Sequence, residues 1–175
     1  MIFFLLLGFM FVCLISLFRK QIAFHIDCNN KILLKLHQLE WFRSPFKSGL
    51  LLFLINGTLF SLTVLFLFIG IYFLVPVIHL FIMFSAIICS VYCWIAINKT
   101  WIGSKIDRLK MAVTGSSFYG FLACGLIYRL ITLPPSTPEL DMFMAAMGVM
   151  FGITVAVVAF FTCILLTGFE VRQEN

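Results

Sequence analysis

Long apolar runs cut by short polar segments dominate this chain, and five of the runs approach or exceed the length of a membrane-spanning helix. A bilayer's hydrocarbon core is about 30 Å thick and a helix rises about 1.5 Å per residue, so a span needs roughly 20 apolar residues. Residues 1–18 are apolar apart from Ser16 and stop at Arg19 and Lys20. Residues 48–97 form an apolar stretch too long for one span. Pro76, which cannot continue a helical ladder, divides it into spans at 48–74 and 76–97, with Gly70 near the turn. A fourth run covers 111–131 and a fifth 138–167. Thr137 as N-cap, Pro138 at the first helical position and Glu139 after it form a helix-start signal, and Gly168 suits the C-terminal cap. The pattern predicts an all-α, polytopic integral membrane protein with five transmembrane helices in a single domain over 1–175.

The polar segments are short. The longest, 19–47, contains a stretch at 31–43 that predicts a short amphipathic helix lying in the membrane interface. Ile32, Leu33, Leu36 and Leu39 share one face, Lys31, Lys35 and Gln38 lie opposite, and Asn29 or Asn30 supplies the N-cap. Trp41 and Phe42 suit the headgroup level, with Arg43 beside them. Pro45 biases Ser44 away from the helical region and ends the element. Residues 98–110 predict a second polar loop on the same side, and 132–141 a Pro-rich loop on the other.

Composition agrees with this class. Hydrophobic residues make up 63% of the chain and charged residues 11%, against about 45–50% and about 25% in soluble domains. The formal net charge of +5 would suggest nucleic acid in a soluble protein. Here the basic residues flank apolar spans, where membrane orientation and anionic lipid account for them, and no nucleic-acid-binding motif is present. The expectation is no nucleic-acid partner.

The placement of charge sets the predicted topology. With the N-terminus outside and the C-terminus in the cytoplasm, eleven of the twelve Lys and Arg residues face the cytoplasm: six in 19–47, four in 98–110, and Arg172. The reverse orientation puts those eleven outside, against the positive-inside bias. Cleavage after the first span would also export the six-charge loop. The first segment further lacks a charged start, a small-residue end, and small residues before Cys13, so it is expected to remain as a span.

Arg129 is the single basic residue off this pattern. It falls near the outer end of the fourth span, on the same side as His79, Glu139 and Asp141, and these four form a candidate outer polar cluster. Arg129 is expected either to snorkel beside Tyr128 or to pair with Glu139 or Asp141. Asn56 is the deepest strongly polar side chain, and interhelical hydrogen bonding is its expected role. Ala112, Ser116, Gly120 and Cys124 recur every four residues along the fourth span. Gly148 and Gly152 form a GxxxG that Ala156 extends. Such faces allow close helix approach, so the fourth and fifth spans are expected to pack together or to bind another protein.

Few residues point to chemistry. Five of the six cysteines fall inside spans and Cys28 on the cytoplasmic side, so no disulfide framework is expected. Cys89 and Cys93 are four apart, unlike the Cys-x-x-Cys of thiol oxidases. His79 has no second intramembrane histidine to hold a haem. Met142, Met144, Met147 and Met150 read as gap-fillers rather than Cu(I) ligands. No phosphate loop or hydrolase motif occurs. No metal and no cofactor are expected.

The favoured reading is a non-enzymatic accessory, assembly or regulatory subunit of a larger membrane protein complex, acting by protein–protein interaction. The expected location is a cell membrane, with Phe-, Ile- and Lys-rich usage suiting a bacterial plasma membrane. The expected partners are another membrane protein or a second copy, and anionic lipid at the basic loops. The alternatives are a protomer of an oligomeric transporter or channel near Asn56, His79 and Arg129, and a lipid-modifying enzyme built on Asp107 and Arg108. The topology predicts that Cys28 resists an impermeant thiol reagent in intact cells and reacts after permeabilisation; labelling in intact cells would reverse the orientation.

Overall fold

The computed structural model describes Met10, Phe42 and residues 44–73, 77–133 and 142–169. The described residues are helical, with no strand among them. Four long helices follow in order: α1 Pro45–Tyr72, α2 Ile78–Thr100, α3 Lys105–Ile131 and α4 Met142–Gly168. Each is long and apolar enough to cross a membrane. They correspond to the second to fifth expected spans. The first expected span apart from Met10, the interfacial helix at 31–43 apart from Phe42, and the helix-start signal at 137–139 lie outside the described residues.

Local chemistry explains the helix ends. Pro45 opens α1 at a first-turn position where its missing N–H costs nothing, and the Ser48 amide donates to the Ser44 carbonyl at 3.0 Å. Trp101 ends α2 by turning extended at φ −82 and ψ 130. α3 starts six residues before the apolar run at 111, which corrects the expected loop over 98–110 to residues 101–104. The cause is the N-cap Ser104. Ser104 Oγ accepts from the Asp107 amide at 3.2 Å and donates to Asp107 Oδ2 at 2.7 Å. Asp107, expected on a loop, is therefore in the first turn of a helix.

The helices form a ring in the order α1, α2, α4, α3. α1 packs on α2 and α3, and α4 packs on α2 and α3, with the most extensive contact between α3 and α4. The pairs α1/α4 and α2/α3 are diagonal. The four-residue loop 101–104 therefore carries the chain across the bundle. α1 and α3 approach through glycines: a Cβ at Gly115 would lie 2.7 Å from Leu52 Cβ, and one at Gly49 would lie 2.7 Å from Thr114 Cβ.

Contacts between helix ends show two distinct poles. Gly49 meets Met111 and Thr114, and Gly168 meets Leu109 and Ala112. Asn98 bonds to Leu166, Thr167 and Phe169. The starts of α1 and α3 and the ends of α2 and α4 therefore share one pole, which carries Lys47, Lys99, Lys105, Arg108 and Lys110. At the other pole Gly70 meets Ile78, and His79 and Arg129 lie there.

The core is concentrated at the basic pole. Leu52, Trp94, Ile95, Ile97, Trp101, Met111, Cys163 and Leu166 belong to one buried cluster that also takes in Phe42. Past Asn56, α1 still meets α3 through Gly57 and Phe60, both against Phe118. In α1 beyond Phe60 the described side chains are exposed except at Thr63, Leu67 and Gly70, one helical stripe. The facing stripe on α2 is His79, Ile82 and Ala86, and the Gly70 contacts with Ile78 and Ile82 join the two helices there. α3 and α4 pair in the same way through Ala123, Leu126, Gly152 and Ala156.

Candidate functional site

Two polar networks are built into this bundle. The first centres on Asn56, which is fully buried on α1. Its Oδ1 accepts from Trp94 Nε1 of α2 at 2.8 Å. Its Nδ2 donates to the Gly115 carbonyl of α3 at 3.1 Å and to Cys163 Sγ of α4 at 3.7 Å. One carboxamide thus bonds to each of the other three helices. The Gly115 bond needs close backbone approach, which the absence of a Cβ at Gly115 permits. Tyr119 closes the cluster with its ring edge-on to Trp94, centroids 6.1 Å apart. The role expected of Asn56, hydrogen bonding between helices, matches this geometry.

The second network lies at the basic pole and joins helix C-termini. Asn98, in the last turn of α2, is 2% exposed. Its Nδ2 is shared among the carbonyls of Leu166 at 2.7 Å, Thr167 at 3.0 Å and Phe169 at 2.7 Å. These carbonyls have no partner within α4, so Asn98 caps that helix from α2. Arg108 of α3 approaches from the other side. Its Nη1 donates to Asn98 Oδ1 at 3.0 Å and to the Asn98 carbonyl at 3.3 Å, and Nη2 to the Trp101 carbonyl at 3.2 Å. The guanidinium lies 5.7 Å from the Trp101 ring centroid, within cation–π range. Arg108 is only 7% exposed. A buried guanidinium is costly unless its charge is met, and the negative end of the α2 dipole meets it here.

Trp101 extends the network to the segment before α1. Its indole Nε1 donates to the Phe42 carbonyl at 3.1 Å, and both side chains are buried. Phe42, expected to face lipid headgroups, is thus packed inside; its apolar ring meets the buried cluster that Trp101 anchors. Gly103 makes room for this indole, since a Cβ there would lie 2.8 Å from Trp101 Cζ3.

The remaining candidates are dispersed. His79 is half-buried in the first turn of α2 and Arg129 is exposed in the last turn of α3. The structure does not draw their helices together, because α2 and α3 are diagonal and their backbones stay more than 8 Å apart. Glu139 and Asp141 lie outside the described residues, as do Lys31, Lys35, Trp41 and Arg43. On the small-residue faces, Ala112 and Ser116 are fully buried and Ala156 nearly so. A Cβ at Gly120 would touch the Phe160 ring at 3.7 Å, and one at Gly152 would reach Leu126 at 3.3 Å. Cys124 is exposed and falls off the ladder, and Gly148 faces open space. Gly168, expected as a cap, is the last residue of α4, where its lack of a Cβ lets it approach Ala112.

Sequence reasoning placed Asn98 and Arg108 in a loop and so missed the capping network. The signal available was Ser104-x-x-Asp107, a helix start that makes Arg108 the fourth residue of α3 and turns it toward the bundle. Among the described residues, every buried side-chain N or O atom has a partner, and no three His, Cys, Asp or Glu side chains converge. Both networks are therefore suited to fixing helices. Comparison with known proteins gives no matching family model, no matching curated protein and no matching solved structure.

Replacing Arg108 by Leu should cost roughly 1.5–3 kcal/mol, the range for hydrogen bonds to a charged group. Exposed Lys105→Gln should stay within about 0.5 kcal/mol. Thermal unfolding of both variants in detergent micelles checks the difference, and equal stability would remove the clamp role of Arg108.

Proposed function

We propose that this chain is a non-enzymatic cell-membrane protein of five spans, N-terminus outside and C-terminus in the cytoplasm. It acts as an accessory, assembly or regulatory subunit by binding another membrane protein. One observation carries the reading: away from the basic pole, α1 buries a single stripe, and α3 and α4 each keep one side exposed, so apolar faces stay open among the described residues. Two of the open positions are glycines. A Cβ on Gly125 of α3 or on Gly148 of α4 would meet nothing within 4 Å. Small residues on faces turned away from the fold let a further helix approach closely, and association inside a bilayer depends on such packing.

The alternatives draw less support. A permeation site at Asn56 would require that side chain to release bonds to three helices. A lipid-modifying site would rely on Arg108, whose guanidinium is turned inward onto backbone carbonyls.

Purification of the native protein in mild detergent tests the proposal. The tagged chain should recover one specific, larger membrane protein, and repeated recovery of this chain alone contradicts it. A Cβ at Gly125 or Gly148 meets open space, so Gly125→Leu and Gly148→Leu should both keep the melting temperature and at least one should lose the partner. A shift confined to the chain's own oligomeric state would identify a second copy as the partner.

A further inference from the structure

The lipid-facing side of the α3 start combines charge and apolar surface in a specific way. Ile106, Leu109 and Val113 are all exposed on one side of the helix, and Ile102 is exposed just before it. Lys105 and Lys110 are exposed as well. At 3.6 residues per turn they flank this strip, each about 70° from its centre and on opposite sides. Arg108, Met111, Ala112 and Gly115 fill the opposite, buried side, and of the strip Leu109 also lies beside Gly168 of α4.

Length sets the depth of the strip. The 27 residues of α3 rise about 40 Å, roughly 10 Å more than the hydrocarbon core. With that excess at the basic pole, Lys105, Leu109 and Lys110 stand at headgroup level and Val113, about 12 Å from the start of α3, reaches the acyl chains. Among the described residues one carboxylate lies close by, that of Asp107. Ser104 donates to it at 2.7 Å and Lys110 approaches it at 3.4 Å, which lowers its repulsion of an incoming anion.

We propose that this face of α3 binds one anionic phospholipid, its phosphate between Lys105 and Lys110 and its acyl chain along Ile106, Leu109 and Val113. The site does not depend on a protein partner, and it leaves Arg108 and the helix-capping network untouched. Its lysines provide the charge selectivity and its apolar strip the anchorage.

Native mass spectrometry of the full chain, exchanged into micelles with equal phosphatidylglycerol and phosphatidylcholine, tests this. Phosphatidylglycerol should be retained in preference, by about fivefold for each lysine engaged. Lys105→Gln with Lys110→Gln should abolish the preference, and Ile106→Ser should weaken retention of both lipids. If the double variant does not fold, Lys105→Gln alone should lower the preference. Equal retention of the two lipids by the native chain, or an unchanged preference in the lysine variants, overturns the proposal. Displacement of the lipid by inorganic phosphate would identify a free-anion site and overturn it as well.

Discussion

The carboxamide of Asn56 bonds from α1 to each of the other three long helices. It sits where water cannot supply hydrogen bonds, so its oxygen and its amide must find partners in protein. It finds them on α2, α3 and α4. Apolar helices in a membrane gain little from being pressed together, because lipid is as apolar as they are. Directional bonds and close packing must then select the arrangement. The Asn56 bonds specify which helices are neighbours and at what height. The Gly115 backbone and the Leu52 side chain make that approach possible.

The structure is asymmetric about this level. Toward the basic pole, Asn98 and Arg108 meet the carbonyls that helix C-termini leave without partners, and Trp101 draws in Phe42. The crossing loop 101–104 is held by this network from both ends. Away from that pole no comparable network spans the ring among the described residues, and apolar faces are open there. The polar groups thus define a rigid half. The open half supplies the surface on which the proposed role in binding a membrane partner depends.

Much of this was legible in the sequence, because apolar length is a strong signal. The runs at 48–74, 76–97, 111–131 and 138–167 anticipate four helices, with Pro76 at the first break. Interhelical hydrogen bonding was the role expected of Asn56 from its depth in an apolar span; its bonds to three other helices were not. What escaped were polar residues whose partners are distant in sequence. Asn98 and Arg108 resemble loop residues when only neighbours are considered. Their partners are backbone carbonyls, which carry no sequence signature. The small-residue ladders indicated the contact between α3 and α4 but not its phase, so Cys124 and Gly148 face outward. The glycines that bring α1 and α3 together, Gly49 and Gly115, lay in no recognisable repeat.

If Asn56 organises the bundle, its bond to Trp94 must contribute as a pair. A double-mutant cycle with Asn56→Leu and Trp94→Phe, followed by equilibrium unfolding in detergent micelles, measures this directly. The geometry predicts a coupling of about 0.5–1.5 kcal/mol, with the double variant less destabilised than the two single losses combined. Strict additivity would contradict the account.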